Sequence, residues 1–308
     1  DGDIAKNMDQ TVTTIDSMRT RDAGKAMMVT RIYADAFEEK GGVIESGRDR
    51  LYRKLDEGVL WWNYLGHGDQ LTIGHGKMVL YTDINNIRLR YQPFLAAYTC
   101  SFMQWDAAEL SGGEILALND RGIIGMLSAS RKSFISNNGD LSPAVSSYMF
   151  DRDASGRFLP IGEIVRRGKN RLSRISGRSD DNKLRFALLG DPALRLSAPS
   201  LFLKLETIDG ETVDPDKQLT IKARQNVVMT GSVVDASGSK ISSFNGPLLT
   251  TLYDAETSVT TLGRDRNDKD GKPHVYDEPG SMLYQGRDSV KAGEFTIRIA
   301  MPFETAEN

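Results

Sequence analysis

The chain has 308 residues, 39% of them hydrophobic, enough apolar material for one sizeable core and a smaller one. Its formal net charge of −3, from 39 basic and 42 acidic residues, argues against a nucleic-acid partner, because neutralising phosphates requires a clustered basic excess. No apolar run approaches the roughly 18 residues of a membrane span, and no signal peptide opens the chain; Asp1-Gly2-Asp3 begins without a methionine and reads as part of a longer precursor.

From the N-terminus, Met8, Val12, Ile15 and Met18 fall at helical spacing. Met27 to Tyr33 reads as a short buried strand, and Ser46 to Gly58 as a charged surface helix closed by glycine. Val59 to Leu65 (VLWWNYL) and Phe94 to Thr99 (FLAAYT) are the next strands. Trp61 and Trp62, inside the first of them, read as packing. Gly113 to Asn119 reads as helix, Ile123 to Ser130 as an uninterrupted apolar strand, and Ser142 to Phe150 and Ile161 to Ile175 as further helices. The last carries a basic face (Arg166, Arg167, Lys169, Arg171, Arg174) opposite an apolar stripe, expected to be a solvated face of a packed helix. Strands without polar alternation, separated by helices, predict a mainly parallel α/β sheet covered on both faces.

After Ala198-Pro199-Ser200 the period changes to two. Leu219 to Ala223, Val227 to Val234, Thr250 to Tyr253 and Glu294 to Ala300 read as half-buried strands between turn-rich spacers. Residues 1–198 are thus expected to form one domain, and residues 199–308 a β-sandwich of immunoglobulin-like size.

The chemistry concentrates at two strand ends. One strand runs into Leu65-Gly66-His67-Gly68-Asp69, the next into Tyr98-Thr99-Cys100-Ser101-Phe102. In an open parallel sheet, reactive groups gather beyond the carboxyl ends of the strands. Cys100 is the only cysteine, so it makes no internal disulfide and completes no multi-cysteine zinc site. A thiol nucleophile needs a base to take its proton, and His67 is placed to do so and then return it to a leaving amine. Flanking glycines admit a substrate backbone and free the Gly68 amide, which with that of Cys100 would face an oxyanion. Arg131, Lys132 and Phe134 follow the third strand and are candidates for a substrate pocket at the same rim. His67, Asp69 and His75 could ligate a metal, but their glycine-containing loop offers nothing to fix the geometry. No metal or cofactor is expected as a requirement. Asp265, Asn267, Asp268 and Asp270 are spaced like a calcium loop without the glycine–glutamate completion, which supports calcium only weakly.

The runs WNYLGHGD, AAYTC, the strand closing in SAS, and LLGDPALRL (Leu188 to Leu196) together resemble the gingipain family of cysteine peptidases. The resemblance implies a caspase-like sheet followed by an immunoglobulin-like domain, with His67 as base, Cys100 as nucleophile, and Gly68 and Cys100 as the oxyanion hole. An acid upstream of the histidine orients it in that family; Asp1 or Asp3 could serve here. Within the family, the opening DGD and the later GSVVDASG and SVKAGEFTIRIAMP resemble the sortase branch of the Bacteroidetes type IX secretion system, and the segment SFMQWD after Cys100 departs from the Val-Asn-Gly-Asp-Phe of the secreted gingipains. That likeness implies cleavage of a C-terminal signal from secreted proteins and transfer to a lipopolysaccharide amine. It also implies other secretion-system components as partners, and export across the inner membrane to the outer-membrane surface. The alternatives are a hydrolytic endopeptidase and an inactive assembly component.

Overall fold

The computed structural model describes residues 4–74, 78–175, 181–214, 217, 220–264 and 271–302, with side chains of 173–175 and 181 excepted. The chain divides into two units, Asp1–Ala198 with Thr260–Val275, and Pro199–Val259 with Tyr276–Asn308. Residues Thr260–Val275, read from sequence as part of the second domain, therefore group with the first unit.

In the first unit, α1 (Ile4–Met18), the short α2 (Asp22–Lys25) and α3 (Glu45–Glu57) precede β1 (Trp61–Leu65). Then follow α4 (Tyr81–Asn86), β2 (Phe94–Tyr98), α5 (Gly112–Leu118), β3 (Gly125–Ala129), α6 (Ile135–Ser146), α7 (Ile161–Ile175), α8 (Asp181–Arg185) and β4 (Phe186–Leu189). The strands form one sheet in the order β1-β2-β3-β4, the first three parallel and β4 antiparallel to β3. Every residue of β2 and β3 is buried, which explains their unalternated apolar sequences.

Alternate residues of β2 feed opposite layers. Leu95 and Ala97 join Leu55 of α3, Ile84 of α4 and Leu116 of α5 in one core. Phe94, Ala96 and Tyr98 join Leu141 and Val145 of α6 and Ile161, Ile164 and Leu172 of α7 in the other. Helices thus cover both faces, as the strand pattern predicts. α3 ends where expected. Gly58, at φ +104°, takes a conformation that L side chains avoid, and its N–H closes onto the Leu55 carbonyl.

Three expected elements are corrected. Met27 to Tyr33 is not a strand: it pairs with no strand among the described residues, and Met28 is 68% exposed. The helix expected at Ser142 to Phe150 runs instead over Ile135–Ser146 and carries Pro143 inside it. Thr220 to Ala223 are not strand, because the chain turns there, Gln225 N–H bonding the Lys222 carbonyl and Arg224 taking φ +63°. Leu219 lies outside the described residues.

The basic groups of α7 whose side chains are described are engaged locally, and the side chain of Arg174 lies outside the described residues. Glu163 accepts from Arg166 Nε at 2.6 Å and Arg167 Nε at 2.7 Å, Lys169 donates to the Phe186 carbonyl, and Arg171 donates to Ser147 Oγ. Arg166, and then Arg167, hold the Glu163 carboxyl at about 2, against an ordinary 4.5. A folded-state value below the unfolded one favours folding above pH 4.5, a contribution lost as pH falls toward 2. Glu163→Gln is expected to flatten the acid limb of the stability curve in that window by less than about 1 kcal/mol, since Arg166 is exposed. Urea midpoints measured from pH 2 to 6 check this.

The second unit contains β5 (Phe202–Ile208), β6 (Glu211–Thr212), β7 (Asn226–Val234), β8 (Gly246–Tyr253), β9 (Thr257–Thr260), β10 (Val275–Glu278), β11 (Met282–Val290) and β12 (Glu294–Ala300). One sheet has the order β12-β7-β5-β6; β8 pairs with β11, and β9 with β10. Val227, Phe295, Ile297 and Ile299 of the first sheet share a core with Leu248 and Val290 of the β8–β11 pair. Two antiparallel layers around one core are compatible with a β-sandwich.

Candidate active site

β1 and β2 run parallel with Leu65 opposite Tyr98, and Gly66 N–H reaches the Tyr98 carbonyl at 3.4 Å. Beyond this last rung each chain continues for two residues, to His67 on one side and Cys100 on the other. Both leave the sheet at its carboxyl edge, on adjacent strands in register.

The His67 loop is built tightly. The His67 carbonyl accepts from Gly74 N–H at 2.9 Å and from the Tyr64 hydroxyl at 2.7 Å. Burial raises the Tyr64 phenol above its ordinary range, so it stays a neutral donor. Gly68 faces Ile73 across a single bridge whose bonds belong to the flanking residues, Gly74 N–H to His67 and Asp69 N–H to Thr72. Among the described residues, no hydrogen bond engages the amide of Gly68 or of Cys100. Only glycine fits at 68. A Cβ there would stand 2.5 Å from Thr99 Oγ1 and 2.9 Å from the Thr72 carbonyl oxygen. The Asp69 carboxylate accepts from Leu71 and Thr72 amides and the Thr72 hydroxyl, so it fixes the loop itself.

Cys100 is half-buried, and its Sγ accepts the Ser133 N–H at 3.3 Å. The Ser133 carbonyl and hydroxyl oxygens stand 3.5 and 3.7 Å from the sulfur. Ser101 takes φ +53°, a left-handed conformation unusual for serine, and its N–H bonds the Arg131 carbonyl. The turn after the cysteine is thereby pinned to the end of β3.

Arg131, Lys132 and Phe134 lie on that rim. The Arg131 guanidinium pairs with the exposed Asp106, whose carboxyl it holds below its ordinary value. Lys132 is exposed, its carbonyl accepting from Arg185, whose guanidinium carbon lies 4.9 Å from the ring centroid of the half-exposed Phe134. The residue of this segment that touches the sulfur is Ser133, which lies between the candidates Lys132 and Phe134. Its place after β3, beside two strand ends already carrying chemistry, was the available signal.

On the other side, His67 lines a mostly apolar cavity of 1030 Å³ between β1, α1 and the 27–35 segment, with Met28, Tyr33 and Trp61 also in its wall. Asp1 and Asp3, His75, and the Asp265, Asn267, Asp268 and Asp270 cluster lie outside the described residues. Among the described residues no group of three potential metal ligands occurs, and no helix is long and apolar enough to cross a membrane.

The sheet of three parallel strands and one antiparallel strand, covered by helices on both faces, defines an α/β domain with a cysteine and a histidine at adjacent strand ends. A family profile described as Peptidase family C25 matches residues 1–197, and the chain belongs to that family of cysteine-type peptidases. No curated protein matches significantly. Among solved structures the chain is similar to the Arg-specific cysteine proteinase gingipain R (14% identity, 83% of this chain and 50% of that one, TM-score 0.45). It is also similar to dimeric latent PorU from Porphyromonas gingivalis (26% identity, 60% and 17%, TM-score 0.34). A third is the complex of pro- and mature domains of RgpB from the same organism (14% identity, 83% and 51%, TM-score 0.43). The chain therefore spans about half the length of the gingipain chains and a smaller part of PorU.

Proposed function

We propose that this chain carries the catalytic centre of a cysteine peptidase in which Cys100 is the nucleophile and His67 the base. The observation supporting it most directly is the register of β1 on β2, in which His67 and Cys100 each follow the Leu65–Tyr98 rung by two residues. In the proposed cycle His67 takes the Cys100 proton, and the thiolate adds to the scissile carbonyl. The amides of Gly68 and Cys100, with no other partner among the described residues, receive the oxyanion. Collapse breaks the C–N bond, the histidine proton leaves with the amine, and a thioester to Cys100 remains. Water or a second amine then attacks that thioester and restores the thiol.

The substrate we propose is a secreted protein bearing a C-terminal signal, and the acceptor an amine such as that of lipopolysaccharide, with the protein working at the outer-membrane surface beside other secretion-system components. This finer reading rests on the sequence likeness to the sortase branch in the opening DGD and the strand-rich region, and on the departure of SFMQWD from the pattern of the secreted gingipains. Incubation with a C-terminal-signal peptide and an amine acceptor, followed by product mass, tests it. The expected product is cleaved peptide carrying the amine. Cleaved acid alone would leave a hydrolytic endopeptidase, and no cleavage together with no thiol labelling by an acyl-enzyme probe would leave an inactive assembly component.

A further inference from the structure

Behind Cys100, and used by none of the steps above, lies a relay of two buried asparagines. Asn182 is 0% exposed and Asn138 3%. The orientation of Asn182 is set by one backbone peptide pair: Phe134 N–H donates to its Oδ1, and its Nδ2 donates to the Phe134 carbonyl, both at 3.2 Å. The same Nδ2 donates to Asn138 Oδ1 at 2.7 Å. That bond fixes which way the Asn138 amide faces, so its Nδ2 is the group directed at the Tyr98 carbonyl and at Ser133 Oγ, each at 3.1 Å.

The consequence falls on the Ser133 hydroxyl. A hydroxyl has one proton and two lone pairs. With Asn138 donating to Ser133 Oγ, a lone pair is occupied on that side and the proton is directed elsewhere. The sulfur of Cys100 stands 3.7 Å away, already holding the Ser133 N–H at 3.3 Å. The contact suits both states of the thiol. Protonated, Sγ–H can donate to the Ser133 carbonyl; ionised, the sulfur gathers the amide and hydroxyl protons of one residue. No member of the relay titrates near neutral pH, so it works the same way across the range in which the thiol ionises.

We infer that Ser133 stabilises the Cys100 thiolate through its N–H and hydroxyl, and that Asn138 and Asn182 are positioning residues that aim that hydroxyl. The inference rests on Cys100 being the reactive thiol but not on any particular substrate. It also places the donors to the nucleophile on β3's end, across the sulfur from the strand that carries His67.

The test is the pH profile of Cys100 alkylation by iodoacetamide in Ser133→Ala, which keeps the backbone N–H and removes only the hydroxyl of a partly buried loop residue. A hydrogen bond to a charged acceptor is strong enough that the rate at neutral pH is expected to fall about tenfold. The profile should move up by about one pH unit with its alkaline plateau unchanged. In peptide turnover, kcat should fall with KM unchanged. Ser133→Thr, which restores a hydroxyl, should return the profile toward that of the parent. Asn138→Leu should reproduce much of the alanine shift; if it does not fold, Ser133→Ala decides alone. A Ser133→Ala profile superimposed on the parent's overturns the inference. Because alkylation needs no substrate, a shifted profile in a protein that cleaves no peptide sustains the inference while removing the peptidase reading.

Discussion

Replacing Cys100 by alanine is expected to lower peptide turnover by roughly 10⁵- to 10⁶-fold, and replacing His67 by alanine to lower it almost as far, with the double variant no worse than either. The non-additivity follows from the chemistry. The thiol is a weak nucleophile while protonated, and the base has no proton to take once the thiol is gone. Each deletion removes the same event, and what survives is substrate binding and whatever the oxyanion amides still contribute. The two variants separate in their alkylation. His67→Ala keeps the sulfur and its Ser133 contacts, so Cys100 should still be labelled at alkaline pH, whereas Cys100→Ala should take no label at all. Single-turnover cleavage of a fluorogenic peptide by the parent, the two single variants and the double variant measures the cycle. A His67 variant within tenfold of the parent would remove the histidine from the mechanism, and multiplicative losses in the double variant would show two independent roles.

The strands that carry these residues are legible in the sequence, and the reason is specific. FLAAYT and IIGMLSAS are almost wholly apolar because β2 and β3 are buried on both faces, so their positions and polar termini stand out in the sequence, after VLWWNYL on the partly buried β1. The bounds of α7 and β12 were readable for a related reason: each has one apolar stripe with a clean period, 3.6 for Ile161–Ile175 and two for EFTIRIA. The beginning of α6 was not. Its first turns are Ser136, Asn137, Asn138 and Gly139, weak helix formers whose local preference is for turns. The helix holds there through tertiary bonds, above all Asn138 to the Tyr98 carbonyl and to Asn182. The same bonds make the Ser133 relay, so the part of the site that escaped the sequence reading did so along with the helix that carries it. β4, four residues leaving α8 directly, offers too short a run for any period to declare itself. Met27 to Tyr33 misled in the opposite direction, being largely apolar and β-branched yet partly exposed beside a cavity rather than paired.

Asp35→Ala is expected to destabilise the first unit by about 3 kcal/mol, toward the low end for breaking a buried ion pair, since Arg264 is 31% exposed and recovers some water. Asp35 itself is 1% exposed. Its carboxylate accepts from the Gly263 N–H at 2.9 Å, the Arg264 N–H at 3.2 Å and Arg264 Nε at 2.9 Å, and its carbonyl accepts from the Leu262 N–H. Arg264 Nη2 donates in turn to the carbonyls of Ala34 at 3.0 Å and Phe37 at 2.7 Å. These bonds join residues some 229 positions apart and hold the Thr260–Val275 segment within the first unit. No local sequence pattern announces such a pair. Removing the carboxylate strands three donors, whereas Asp35→Asn leaves one acceptor oxygen and should cost less. Arg264→Ala should cost at least as much as Asp35→Asn, because it leaves a buried carboxylate with backbone donors alone. Urea unfolding of the three variants gives the ranking, and hydrogen exchange at the amides of Leu262, Gly263 and Arg264 locates the effect. Faster exchange confined to those amides, with the unfolding midpoint unmoved, would mean the pair secures only its own segment; a lowered midpoint with faster exchange through the sheet would mean the segment is part of the unit's cooperative fold. The second result is expected, because the acceptor lies at 1% exposure in the wall of the unit rather than on its surface.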